Sequence, residues 1–160
     1  MDADAFRHLY GYHFSENRKL WESALALSEA QFTQPVGYSH GSVRDQLMHL
    51  MSVDDAWFGD LRQDENLAPL DPAGFADREA MRAHWDGVEQ RMRDYLERLR
   101  DDMLFEKPLT GEDENLYLWQ ILLHVVNHGT DHRAQILRLL NDMGLQTEYQ
   151  DYVFYAYANP

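Results

Sequence analysis

The spacing of apolar residues constrains the fold of this chain more than any other feature of its sequence. Between residues 81 and 99, large apolar side chains recur at almost strict heptad intervals, at Met81, Trp85, Val88, Met92, Tyr95 and Leu99. Intervals of three and four residues place side chains on one face of an α-helix, which has about 3.6 residues per turn. This segment therefore predicts an amphipathic helix with one buried face.

Three further segments have the same periodicity. They cover residues 3–27, 42–62 and 116–143. Ser42, followed three residues later by Asp45, resembles a capping box at the start of the second helix. Asp77 is a suitable N-cap for the third helix, and Gly144 stands where a glycine commonly follows a helix end. The sequence thus predicts four helices.

The segments between these helices are rich in Pro, Gly and Asp, and residues 66–75, "NLAPLDPAGF", are predicted to form a loop. The tail "EYQDYVFYAYANP" is aromatic and is expected to be irregular, packing across an end of the helices or against a second subunit. Apolar and polar residues alternate only in "YVFYAYA", which is too short to found a sheet. We therefore expect one all-α domain over residues 1–160, an antiparallel four-helix bundle of up-down-up-down or crossover connectivity.

The charge of the chain bears on its partners. There are 28 Asp and Glu against 14 Lys and Arg, a formal net charge of -14, which would repel a nucleic acid backbone. No segment approaches the ~20 apolar residues that span a bilayer, and the N-terminus lacks a signal-peptide pattern. We expect a cytoplasmic protein with no nucleic acid or membrane partner. The chain has no cysteine, so any thiol chemistry requires an external thiol.

Histidines interrupt the apolar stripe of the fourth helix. The stripe runs through Leu118, Ile121 and Val125, and its rhythm places His128 and His132 on the same inward face. Two imidazoles four residues apart lie one above the other and can bind one ion from the same side. A His-x-x-x-His pair also occurs on many helices without a metal, as ordinary core residues, so the pair alone is not decisive.

A third ligand must come from another helix, and His49, in the middle of the second helix, is the candidate. Three neutral imidazoles could hold a divalent first-row ion and leave positions open to water. His124 lies further round the fourth helix, which favours packing or a role behind the ligands. The remaining histidines are expected to face the core in one case, His13, and to be surface or loop residues in the others, His8, His40 and His84.

Each ligand histidine also needs a hydrogen-bond acceptor for its other ring nitrogen. Asp131, Asp54 or Gln46 could serve, and the sequence does not distinguish between them. No general base is assigned, because acids at the helix positions of Asp54, Asp55 and Asp131 are usually solvated.

These segments resemble the DinB/YfiT-like superfamily over nearly the whole chain. The resemblance rests on "HGSVRDQLMHL", "LMHLMSVDDAWFGDL", "HVVNHGTDHRAQILRLLNDMG" and the closing "DYVFYAY". It implies a four-helix bundle, frequent homodimers, and a nickel or zinc site that maps onto His49, His128 and His132. Ala134 stands where relatives often have glycine, a departure expected to affect helix packing and not the ligands.

Two classes of function remain open. The first is a metal-dependent enzyme acting on a small molecule, either a hydrolase or a transferase that uses an external low-molecular-weight thiol. The second is a non-catalytic metal- or small-molecule-binding module in which a structural ion fastens the second helix to the fourth. An open coordination position would favour the enzyme, and a fourth protein ligand would favour the structural ion.

Overall fold

The described part of the protein is all-helical. The computed structural model describes residues 1–66, 68, 70–71, 74–75 and 77–160, and no strand occurs among them. Its α-helices are α1 (Ala3–Leu25), α2 (Glu29–Thr33), α3 (Val43–Arg62), α4 (Arg78–Glu97), α5 (Leu118–Asp142) and α6 (Tyr152–Ala158). Two short 3₁₀ segments, Asp101–Phe105 and Gly111–Asp113, lie between α4 and α5. The all-α prediction is confirmed.

The four long helices pack in a closed ring. α1 packs against α4 and α5, and α3 packs against the same two helices. In α3 His49 lies beside His132, and Trp57, two turns further along, contacts His124 of α5. The two helices that carry the predicted ligands therefore run antiparallel.

The apolar stripes meet in one core inside this ring. Phe6 and Tyr10 of α1, Leu47 of α3, Met92 of α4 and Ile121 of α5 are each at most 1% exposed. At about 25 cal/mol per Å² of buried apolar surface, these side chains supply most of the favourable free energy that holds the helices together. The core fixes the rotation of α3 and α5, and with it the direction of their histidines.

The predicted helix starts agree with the structure. The Ser42 hydroxyl accepts from Asp45 N and the Asp45 carboxylate accepts from Ser42 N, which forms the capping box. Asp77 accepts from Ala80 N at the start of α4. After α5, Gly144 adopts φ +89°, a left-handed conformation that an L side chain would strain.

Other boundaries differ from the prediction. α1 ends at Leu25, and Ser28 starts the unpredicted helix α2 with a capping box of its own, completed by Gln31. α4 ends at Glu97, so Leu99 is buried from a turn beyond it. The predicted loop over residues 66–75 falls partly outside the described residues. None of the described helices is long and apolar enough to cross a membrane.

The prediction of an irregular tail is wrong. Residues 152–158 form α6, which lies along α1 instead of across an end of the ring. The Tyr155 hydroxyl approaches Gly11 so closely that an added Cβ would lie 2.2 Å from it. The Tyr12 hydroxyl also donates to Gln150 O at 2.6 Å. The absence of a side chain at Gly11 thus leaves the space in which Tyr155 of α6 packs against α1.

Candidate metal centre

The histidines predicted as ligands lie side by side between α3 and α5. His49 Nε2 lies 3.0 Å from His128 Nε2. The His132 ring centroid is 4.3 Å from that of His128 and 4.6 Å from that of His49. His132 is buried, whereas His49 and His128 are half-buried. Antiparallel packing of two mid-helix segments therefore brings three imidazoles from distant parts of the chain together.

His40 joins this group, although it was predicted to be only a surface or loop residue. It is exposed and lies on the loop before α3, and its ring stacks on His49 with a centroid distance of 3.6 Å. One ligand atom from each of His40, His49 and His132 lies within 4.8 Å of the others, so these three could hold a metal ion. Helical periodicity cannot place a loop residue, and only its residue type signalled it.

The backbone around His40 explains how the loop turns back along α3. Ser39 has φ 55° and Gly41 has φ +96°, both left-handed conformations. A Cβ on Gly41 would also lie 2.9 Å from Asp45 Oδ2, the carboxylate that caps α3. Glycine at this position allows the cap and the turn to coexist, and this turn carries the His40 ring to His49.

The environment lowers the pKa of His49, His128 and His132, which favours the neutral form of these three rings. Burial, reinforced by the charges of His40 and His132, lowers the pKa of His49 to about 4. Burial and the charges of His132 and His49 lower the pKa of His128 to about 4, although Asp54 opposes this shift. Burial and His40 also lower the pKa of His132. Neutral rings keep a lone pair on one nitrogen, which is the form that binds metals.

His124 does not enter the cluster. It is exposed, its ring packs edge-on against Trp57 at 5.2 Å, and its centroid is 5.9 Å from that of His128. His8 and His84, predicted on the surface, are half-buried against aromatic rings of α6 and of residue 75 respectively.

A buried polar network lies behind the cluster. His13, Asp54 and Arg133 are each at most 1% exposed. Arg133 Nη1 donates to His13 Nδ1 at 3.1 Å and to Asn17 Oδ1 at 2.9 Å. His13 Nε2 lies 3.2 Å from Asp54 Oδ2. The inward orientation predicted for His13 is confirmed, and the network links α1, α3 and α5.

The expected solvation of the nearby acids is wrong for two of them. Asp54 and Asp55 are 1% and 5% exposed, while Asp131 is exposed and accepts from Gln135 Nε2. Asp54 is buried because His13 of α1 meets it, and Asp55 because Arg91 of α4 donates to it at 2.8 Å. Both partners come from other helices, so the sequence of α3 alone could not reveal them.

A cavity of about 440 Å³ opens beside His49. Its other lining residues are mostly apolar and include Val53, Ala56, Trp57 and Leu70. The size falls in the range typical of small-molecule sites, about 300–1,000 Å³. A ligand in this cavity would reach the edge of the histidine cluster.

The whole chain was compared with the sequence models of known protein families. The sequence model of the DinB family matches residues 1–160. The chain belongs to the DinB family. The resemblance found in the sequence is thereby confirmed, and the histidine cluster lies in a DinB protein. No functionally curated protein matches the chain significantly. Ala134, the noted departure of this DinB chain, is exposed on α5.

Proposed function

We propose that this protein is a DinB-type four-helix bundle that binds one divalent first-row transition metal ion through His49, His128 and His132, with nickel or zinc as the ion. The observation that carries the proposal is the 3.0 Å separation of His49 Nε2 and His128 Nε2. Metal–nitrogen bonds of about 2.0–2.1 Å in a tetrahedral site place two nitrogens about 3.3 Å apart. A small movement of the rings would therefore admit an ion.

The chemistry of these side chains supports the same conclusion. Neutral imidazole is a common ligand of zinc, nickel and copper. The depressed pKa values of His49 and His128, about 4, mean that protons do not compete for their nitrogens near neutral pH. The ring of His132, one turn from His128 on α5 and 4.3 Å from it between centroids, would supply the third nitrogen.

We further propose that the bound ion serves catalysis on a small molecule. An ion held by three histidines activates a fourth ligand, either water for hydrolysis or a thiol for transfer of an electrophile to sulfur. The chain has no cysteine, so the thiol would be an external low-molecular-weight compound. The apolar cavity beside His49 would hold the substrate next to that position.

Metal analysis of untagged protein tests the site before any substrate is known. We expect about one equivalent of transition metal per chain in the parent and a large loss in His128→Ala. His8→Ala is the matched control, because His8 lies against α6, outside the cluster. Equal metal content in the parent and His128→Ala would refute the site.

Activity assays then separate the two reactions. A thiol transferase would conjugate electrophiles with bacillithiol, mycothiol or glutathione only when metal is present. A hydrolase would cleave esters or amides, lose this activity with a chelator and regain it with added metal. Failure of all these assays in metal-loaded protein would leave the non-catalytic alternative.

A structural ion is the second candidate, and His40 is the observation that favours it. Its ring stacks on His49 and could supply a fourth nitrogen, which would close the coordination shell. X-ray absorption of the cobalt-loaded protein counts the nitrogen neighbours. Three nitrogens plus oxygen would support the enzyme, and four nitrogens without oxygen would support the structural ion.

A further inference from the structure

Several buried polar atoms at the cluster lack a hydrogen-bond partner, His132 Nδ1 among them, and two of them are complementary. They are His128 Nδ1 and Asp54 Oδ1. A buried polar atom without a partner is destabilising, so it requires an explanation. One is a ring nitrogen that can donate, and the other is a carboxylate oxygen that can only accept.

The antiparallel packing of α3 and α5 places Asp54 on the side of the cluster where His128 lies. Trp57 of α3 contacts His124, so residues after His49 lie at the level of His128 and His124. Gln46, whose Oε1 is also buried without a partner, precedes His49 and lies toward His132. Asp131 is exposed and bonded to Gln135. Of the three acceptors that the sequence left open, Asp54 is the one that fits His128.

The network behind Asp54 fixes the orientation of its carboxylate. A guanidinium can only donate, so the 3.1 Å contact of Arg133 Nη1 makes His13 Nδ1 an acceptor. The other ring nitrogen, Nε2, lies 3.2 Å from Asp54 Oδ2 and 3.1 Å from Asn17 Nδ2. Asp54 Oδ2 is therefore engaged, and Oδ1 remains free.

We propose that Asp54 is a positioning residue whose Oδ1 accepts the Nδ1 proton of His128, holding that ring in the tautomer with a bare Nε2 aimed at His49. Neither atom has a hydrogen-bond partner among the described residues, so the contact would close through one water or a small rotation of the side chains. Acceptors behind metal-bound histidines fix the tautomer and orient the ring. In the metal-free protein, His49 Nε2 would donate to this bare nitrogen across the 3.0 Å gap.

The role proposed for Asp54 rests on the proposed metal site, whereas the test of the His128 tautomer does not require a bound metal. Long-range ¹H–¹⁵N correlation of ¹⁵N-histidine-labelled, metal-free full chain at pH 7.5 identifies the protonated nitrogen of each ring. The His128 signals are assigned by their loss in His128→Ala. We expect the His128 proton on Nδ1 in the parent, and a proton on Nε2 there would overturn the proposal even if Asp54→Asn does not fold.

Asp54→Asn is the matching variant. The asparagine keeps the shape, but if its oxygen accepts from His13, its NH₂ group faces the Nδ1 proton of His128. We expect the His128 proton to move to Nε2. Asp55→Asn is the control, since Asp55 is also buried and bonds Arg91 instead. It should leave His128 unchanged. An unchanged His128 tautomer in Asp54→Asn would overturn the proposal.

Metal affinity gives the second readout. Zinc titration should show binding about 10–100-fold weaker in Asp54→Asn, the usual effect of losing such an acceptor, with less than a threefold change in Asp55→Asn. Equal zinc affinity in the parent and Asp54→Asn would contradict the positioning role. If the parent binds no zinc, nickel or cobalt yet carries its His128 proton on Nδ1, the proposed function fails and the tautomer assignment stands.

Discussion

Arg133 Nη1 donates to Nδ1 of His13 at 3.1 Å, in a part of the core where neither side chain is exposed. The same guanidinium donates to Asn17 Oδ1, Thr130 Oγ1 and Gln150 Oε1. A charge is thus held in the interior by neutral acceptors from α1, α5 and the segment before α6. Burial of an arginine in this way requires that all of these acceptors stay in place.

Replacement of Arg133 should be strongly destabilising. Arg133→Met leaves the acceptors of His13 and Asn17 buried and unpaired, so we expect a loss of about 3 kcal/mol or more in the free energy of unfolding. Urea denaturation of the metal-free protein measures it. Arg138→Met, on the same helix but exposed and paired with Asp142, should change stability by less than about 0.5 kcal/mol. Similar losses in both variants would contradict this account.

Gly129 should not tolerate a side chain. A Cβ there would lie 2.5 Å from His13 Cε1 and 2.9 Å from Arg133 Nη1, so Gly129→Ala should cost about 1–3 kcal/mol of stability despite the higher helix propensity of alanine. Gly87→Ala on α4, whose Cβ would meet only Arg91 Nη1 at 3.4 Å, should be neutral or stabilising by up to about 1 kcal/mol. Thermal melting of both variants checks this, and a harmless Gly129→Ala would mean that α1 and α5 separate easily.

The free energy of unfolding of the metal-free protein should decrease as the pH is lowered from 6.5 to 4. Folded His49 and His128 take up a proton only near pH 4, whereas in the unfolded chain they do so near 6.5. The unfolded chain binds more protons in this window, so acid favours unfolding. His128→Phe should flatten the pH dependence of the urea midpoint, and His124→Phe, at an exposed position, should leave it as in the parent. A parent-like slope in His128→Phe would contradict these pKa values.

Substitution of individual histidines should rank their roles in metal binding. If the site is an open three-histidine centre, His132→Ala should weaken zinc binding more than 100-fold, and His40→Ala less than tenfold, because the exposed loop ring is not required. Isothermal titration of both variants provides the comparison. A comparable loss in His40→Ala would show that the loop histidine is a full ligand and would favour the structural ion.

The outer face of α6 and Tyr149, in the segment before it, should mediate self-association. Tyr149, Phe154 and Tyr157 are 84%, 55% and 76% exposed, an unusual density of aromatic surface. We expect the parent to sediment at about twice the chain mass of 18.8 kDa and Phe154→Asp to shift toward the monomer. Phe105→Asp, at an aromatic residue that is 71% exposed on a 3₁₀ segment, is the control. A monomeric parent would end the homodimer proposal.

Features that depend on local sequence were predictable. The apolar intervals of α4, the Ser42–Asp45 capping box and Gly144 act within a few residues, and the structure has them where they were expected. The inward direction of His132 also followed, since it continues the stripe of its own helix.

Features that depend on another helix were not predictable in the same way. Asp54 has the sequence context of a solvated acid and becomes buried only because His13 and Arg133 arrive from α1 and α5. His40 is placed by two left-handed backbone positions, which have no periodic signature. α6 was missed because its alternating apolar and aromatic residues show no helical stripe, and its position depends on the gap at Gly11.

The contact between His49 and His128 joins residues 79 positions apart in the chain. A cation bound by both rings would be a reversible crosslink between two distant parts of the chain. It would bind the folded chain in preference to the unfolded one. Melting temperature would then depend on the history of a preparation, so that dialysis against EDTA would lower it and readdition of the ion would restore it.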